Sequence, residues 1–272
     1  MTQSRAYASG AVACLFALTL SHQTHAASIA AETGVSTISP CPSFCGGGGS
    51  ISEFDNDGGE DVNFSYSSIP AGVNGNGQAQ ATVVGGLSLP ELKAEAFSNP
   101  NARVEANAAG MQKYNYSGPE SIFSLDVTLD GEVINGAQAL DAALFANAMV
   151  FIASDVDFFS HYGTFAFEVL PSSDAVILDE VGINFVSLGL VDAGYQSVTE
   201  TLEFTLEDGD SLFIWASLVA RGTRGGSADA FSTFSFEFTG GNTAGLAAVP
   251  LPPALWLFAS CLTGLVLKRR AA

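Results

Sequence analysis

Between Glu53 and Asp61 the chain reads Glu-Phe-Asp-Asn-Asp-Gly-Gly-Glu-Asp. Glu53, Asp55, Asp57 and Asp61 take places one, three, five and nine of a calcium loop, Gly58 takes place six, and Gly59 offers its carbonyl at seven. Place twelve is Phe64, so the bidentate carboxylate that normally closes such a loop is missing. Glu53, Asp55, Asp57, Gly59 and Asp61 are therefore expected either to hold Ca²⁺ weakly, at millimolar extracellular calcium, or to form a plain acidic surface turn. No other cofactor is implied.

The remaining reactive side chains are few. Cys41 and Cys45, in Cys-Pro-Ser-Phe-Cys, are candidates for a small local disulfide in an oxidising compartment. Zinc lacks ligands, because His161 is the one histidine between residues 27 and 249. A Ser-His-Asp hydrolase would have to use His161, and the chain has no Gly-x-Ser-x-Gly elbow. Carboxylate pairs such as Asp155/Asp157 and Asp179/Glu180 arise by chance in an acid-rich chain, and strand neighbours face opposite ways. No Gly-rich phosphate loop is present. Tyr114, Tyr116, Tyr162, Tyr195 and Trp215 are candidates for stacking on sugars, although Trp215 stands in a core-like run and is expected to be buried. No catalytic constellation emerges, and the chain reads as a non-enzyme.

The elements that must position these residues are strands. Phe123-Ser-Leu-Asp-Val-Thr-Leu129 alternates with period two, and Asp130-Gly131 predicts a hairpin turn before Val133-Ile134. Val62 to Tyr66, Phe165 to Val169, Leu202 to Leu206 and Phe234 to Phe238 alternate in the same way, and Asp208-Gly209 predicts another turn. Ala137 to Ile152 is ambiguous and is read as a short helix or loop followed by a strand from about Phe145. Short strands between Gly-rich turns predict an all-β fold, an antiparallel β-sandwich of which the jelly roll is one form. Residues 27–61, small, polar and Gly-rich, are read as a flexible acidic leader, and residues 62–245 as the sandwich body.

Charge is unevenly placed. All 28 acidic residues lie between residues 27 and 249, against five basic ones, so this body carries a net charge near −23. Such a surface repels nucleic acid and anionic headgroups, and nucleic acid is excluded as a partner.

The ends carry transport signals. Arg5, the apolar run Ala11 to Leu20 and Thr24-His25-Ala26 describe a signal peptide over residues 1–26, implying the Sec translocon and signal peptidase. At the other end, residues 246–267 hold no charge, and Lys268-Arg269-Arg270 follows. Prolines 250, 252 and 253 confine a helix to the last ~15 residues of that run, roughly 22 Å.

The tail resembles the PEP-CTERM sorting signal of Gram-negative envelope proteins. The resemblance rests on Val249-Pro250-Leu251-Pro252, Trp256-Leu257-Phe258, Gly264 and Lys268-Arg269-Arg270. Pro253 and Cys261 depart from the commoner Ala and Gly. The resemblance makes residues 246–272 a transmembrane sorting segment. It implies processing by an exosortase near Pro-Leu-Pro and delivery from the inner membrane to the cell surface or matrix, in association with exopolysaccharide. A looser likeness to the distal body of such proteins runs through Glu207-Asp-Gly-Asp210, Phe213-Ile-Trp-Ala216 and Ala228-Asp-Ala-Phe231. The expectation is an exported, non-enzymatic envelope or matrix protein. The alternatives are a secreted carbohydrate-binding module, with or without calcium, and a secreted hydrolase.

Overall fold

The computed structural model describes residues 29–39, 50–60, 62–83, 89–138, 141–153, 156–160, 167–171, 175–186 and 194–249, with 156–160 and 167–171 described by backbone alone. One antiparallel sheet is built around β6 (Arg103–Tyr116), flanked by β1 (Ile29–Ser39) on one side and β13 (Ser211–Thr223) on the other. Beyond β1 lies β2 (Ser50–Glu60); beyond β13 lie β8 (Ala142–Ile152) and then β11 (Val176–Val186). The seventh strand, β15 (Leu246–Ala248), pairs with the end of β6, in line with β1.

The second sheet has six antiparallel strands. Their order is β12 (Gly194–Leu206), β7 (Ser121–Ile134), β14 (Ser227–Gly240), β5 (Glu91–Ser98), β4 (Gly75–Thr82) and β3 (Phe64–Ile69). A separate pair, β9 (Val156–Ser160) with β10 (Phe167–Pro171), lies between β8 and β11 in the chain. The two main sheets stack, β13 over β5 and both β1 and β6 over β4. The chain is thus a β-sandwich of two antiparallel sheets.

Period-two patterning explains the core. On β7, Phe123, Leu125, Val127 and Leu129 are fully buried, while the residues between them are partly open. Phe123 stacks on Phe204 of β12 at 5.6 Å and meets Tyr116 of β6 edge-on at 5.4 Å, so one ring joins both sheets. Each buried Leu or Phe stabilises the fold by about 1.5–3 kcal/mol. The inner strands β1, β6 and β13 are buried on both faces. A second apolar cluster therefore exists on the far side of the seven-stranded sheet, with Ala30, Ala109, Met111, Phe151 and Phe213 at its centre.

Several expectations need correction. Within residues 27–61, read as a flexible leader, the described stretches 29–39 and 50–60 are strands β1 and β2 of the sheet, and Ala30, Ala31 and Val35 have no exposed surface. Small residues resemble a linker in composition, yet they are what fits between two strands and beneath a second sheet. The body also runs past residue 245, because β15 pairs with β6 and the Val249 N–H donates to the Lys113 carbonyl at 3.1 Å. β8 is extended from Ala142, with no helix among the described residues before it. Asp130-Gly131 makes no turn, since β7 continues to Ile134. A Cβ on Gly131 would lie 2.4 Å from Leu144 Cδ1, so this glycine gives β8 room to approach. Asp208-Gly209 does turn, with Gly209 at φ +95°.

Candidate functional site

The acidic run that suggested a calcium loop lies on β2 as an extended strand, with Glu53 opposite Thr37, Asp57 opposite Thr33 and Gly59 opposite Ala31. Two of its carboxylates bond the edge of the other sheet. Asp55 Oδ2 accepts from the Ser68 N–H at 2.7 Å, and Asp57 Oδ2 accepts from the Tyr66 N–H at 3.2 Å. Both donors belong to β3, the edge strand of the other sheet, and they point away from β4. Gly58 has φ +103°, and a Cβ there would meet the Ala31 carbonyl at 2.1 Å, so it serves close strand approach rather than a loop turn. The opposite side of the sandwich is closed in the same manner. Asp179, at a bulge in β11, accepts from the Glu203 N–H of edge strand β12 at 2.9 Å. Its other oxygen, Oδ1, accepts from the Glu180 N–H at 2.9 Å.

Other sequence candidates fall elsewhere. Asp61, Cys41, Cys45, Asp155, His161, and Pro250 through Arg270 lie outside the described residues; of the sorting motif only Val249 is described. Among the described residues no group of three or more His, Cys, Asp or Glu side chains is placed to hold a metal ion. Tyr114 and Tyr116 are buried, and burial pushes the Tyr114 hydroxyl well above its ordinary range. Tyr195 is exposed on β12.

Trp215 is the residue that burial alone misplaced. It is half-buried, with one side packed on the outer apolar cluster and the other walling a groove of about 340 Å³. Register builds this groove. Glu180, Met149 and Trp215 stand directly opposite one another across β11, β8 and β13, and Gly182, Asn147 and Ser217 form the next row. Asn147 is exposed above the floor, with its amide Nδ2 3.5 Å from Ser217 Oγ. Gly182 leaves the mouth open: a Cβ there would lie 3.2 Å from Asn147 Oδ1. The Trp215 indole N–H is shielded from water and has no acceptor among the described residues.

Chemically, the groove combines an aromatic face, a thioether, an amide and a carboxylate. This set can take a pyranose ring, with its C–H face on the indole and its hydroxyls on the amide and carboxylate. Among the described residues that line the groove, Glu180 is the one carboxylate. The alternation of Phe213, Trp215 and Ser217 already put Trp215 on one face of β13. The pairing with Asn147 and Gly182 comes only from strand order.

No family model matches the chain, and no curated protein matches it. Among solved structures it is similar to TmCBM61 in complex with β-1,4-galactotriose, at 11% identity and a TM-score of 0.23, over 54% of this chain and 69% of that one. It is also similar to carbohydrate-binding modules from the β-sandwich superfamily, at 11% identity and a TM-score of 0.26, over 71% of this chain and 69% of that one. The enzymatically active domain of tailspike protein 4 from bacteriophage CBA120 shows 13% identity and a TM-score of 0.25, over 66% of this chain but only 20% of its own. Likeness at this level carries no argument about activity.

Proposed function

We propose that this chain is an exported, non-enzymatic envelope or matrix protein whose β-sandwich binds polysaccharide through the Trp215 groove. The carrying observation is the groove itself, with its open aromatic wall, facing amide and carboxylate, and mouth kept clear by Gly182. The resemblance of the tail to a PEP-CTERM signal supports delivery by an exosortase to a surface rich in exopolysaccharide.

The test substitutes Gly182→Leu, because Gly182 is exposed and its side chain would enter the groove without disturbing the core. Retardation on gels containing a panel of bacterial polysaccharides is compared between parent and variant. The expected result is retardation of the parent by at least one polymer, with binding about tenfold or more weaker in Gly182→Leu and an unchanged urea midpoint. Equal retardation of the two, or none of the parent on any polymer including that of its own cells, overturns the assignment. Shortening of the polymer by the parent would favour a hydrolase instead.

A further inference from the structure

The outward face of the six-stranded sheet is a second, uncovered surface. Phe64 and Tyr66 on β3 are 49% and 40% exposed, and Tyr195 at the opposite edge is 66% exposed. Between these edges one row of directly opposed residues runs Ser68, Gln78, Glu95, Asp229, Glu132, Tyr195. It crosses six strands, roughly 24 Å at the usual strand spacing. Three carboxylates stand side by side at its centre, where like charges in direct opposition destabilise a sheet. Farther along the strands, Glu237 and Asp126 are also directly opposed.

Among the described residues nothing on this face neutralises that charge. Of the five cations between residues 27 and 249, only Lys93 belongs to this sheet, and Glu91 holds it at 2.9 Å. Arg103, Lys113 and Arg221 lie on the other sheet, and Arg224 lies in the turn after β13. Partial burial and then the neighbouring Asp229 push the Glu95 carboxyl above its ordinary range, against a hydrogen bond from Gln78 that lowers it. Gln78 in turn accepts from the Tyr66 hydroxyl at 3.0 Å and donates to Glu95 at 2.8 Å, which ties the aromatic edge to the acidic row.

We propose that this face docks a linear amino-sugar polymer with unacylated amines. Charge complementarity argues for the occupant: its ammonium groups meet the Glu95–Asp229–Glu132 row, and Tyr66 and Tyr195 stack on sugar rings at either edge. The inference shares the polysaccharide-binding reading above but uses a different face, so the two can fail separately.

The experiment compares binding of a glucosamine oligosaccharide, its fully N-acetylated counterpart and polylysine of matched charge to the native protein, by calorimetry at ~0.05 M and ~0.5 M salt. The deacetylated sugar should bind at least about tenfold tighter than the acetylated one at low salt and lose most of this advantage at high salt. Asp229→Asn with Glu132→Gln should weaken it about tenfold, whereas Gly182→Leu should leave it unchanged. The double variant should keep or raise the urea midpoint. It relieves repulsion, and the amide introduced by Asp229→Asn retains an oxygen that can accept from the Phe231 N–H as the carboxylate does. The Glu95 carboxyl, held above its ordinary range, loses charge as pH falls, so binding should weaken on the acid side. Equal affinity for the acetylated sugar, no loss in the double variant, loss in Gly182→Leu, or equally tight polylysine binding overturns the proposal.

Discussion

Asp55, Asp57 and Asp179 show how a short carboxylate can act as a missing strand. Each side chain reaches from one sheet to a backbone N–H on the edge of the other, so both edges of the six-stranded sheet are partly sealed. An unpaired edge N–H invites pairing with another chain, and an acidic side chain placed over it both satisfies and repels. Asp179→Ala should therefore cost about 1–2 kcal/mol in urea unfolding, with Asp179→Asn costing less because an acceptor remains. Light scattering during refolding should rise in the alanine variant. Equal stability of both variants and the parent would show that water serves the Glu203 N–H as well as the carboxylate does. Strand alternation and a calcium loop both put oxygens at every second place, so the spacing of residues 53–61 alone does not separate the two.

The two Asp-Gly pairs make the corresponding point for elements. Gly209 sits in a turn at positive φ with open space where its Cβ would be, whereas Gly131 sits inside β7 against Leu144. Gly209→Ala should cost about 1 kcal/mol through backbone strain alone. Gly131→Ala should cost about 1–3 kcal/mol through overpacking. A double-mutant cycle with Leu144→Ala separates these causes, showing coupling for position 131 and none for 209. The two glycines are indistinguishable in sequence, since each follows an Asp and precedes a strand-like run. What was legible was any strand with one wet face, such as β7 or β12, where Phe and Leu alternate with Thr, Glu and Asp. What was not legible were β1 and β6, where Ala, Gly, Ser and Asn lie between neighbours on both sides and the other sheet covers one face. The composition of β1 is that of a linker, and β6 lacks the alternation of a half-wet strand, so only the packing around them identifies both. The Trp215 groove was half legible for the same reason: the strand face is local information, while Gly182 and Asn147 become its neighbours through the order β11-β8-β13.

At the scale of the whole body, the two ends of the sandwich meet. Ile29, the first residue of β1, is opposite Gln112, and the Val249 N–H is bonded to the carbonyl of Lys113, the next residue on β6. The bonding of this chain end to β6 thus reaches Val249, the first residue of the proposed sorting motif. This arrangement bears on where a transpeptidase can act. A cut beyond Val249 leaves β15 and its hydrogen bonds intact, whereas a cut before Leu246 would remove a strand from the sheet. The mature protein should therefore end at or just beyond Val249, within Pro-Leu-Pro, and begin near Ala27. Fractionating cells that make the native chain or a chain truncated after Val249, and weighing the products, tests this directly. The exosortase reading expects a native product lacking Trp256 to Arg270 in the surface or matrix fraction, with the truncated chain missing from that fraction. A native product that keeps Trp256 to Arg270 and stays in the inner membrane replaces the sorting signal with a permanent anchor. In that case both proposed binding faces would work at the inner membrane.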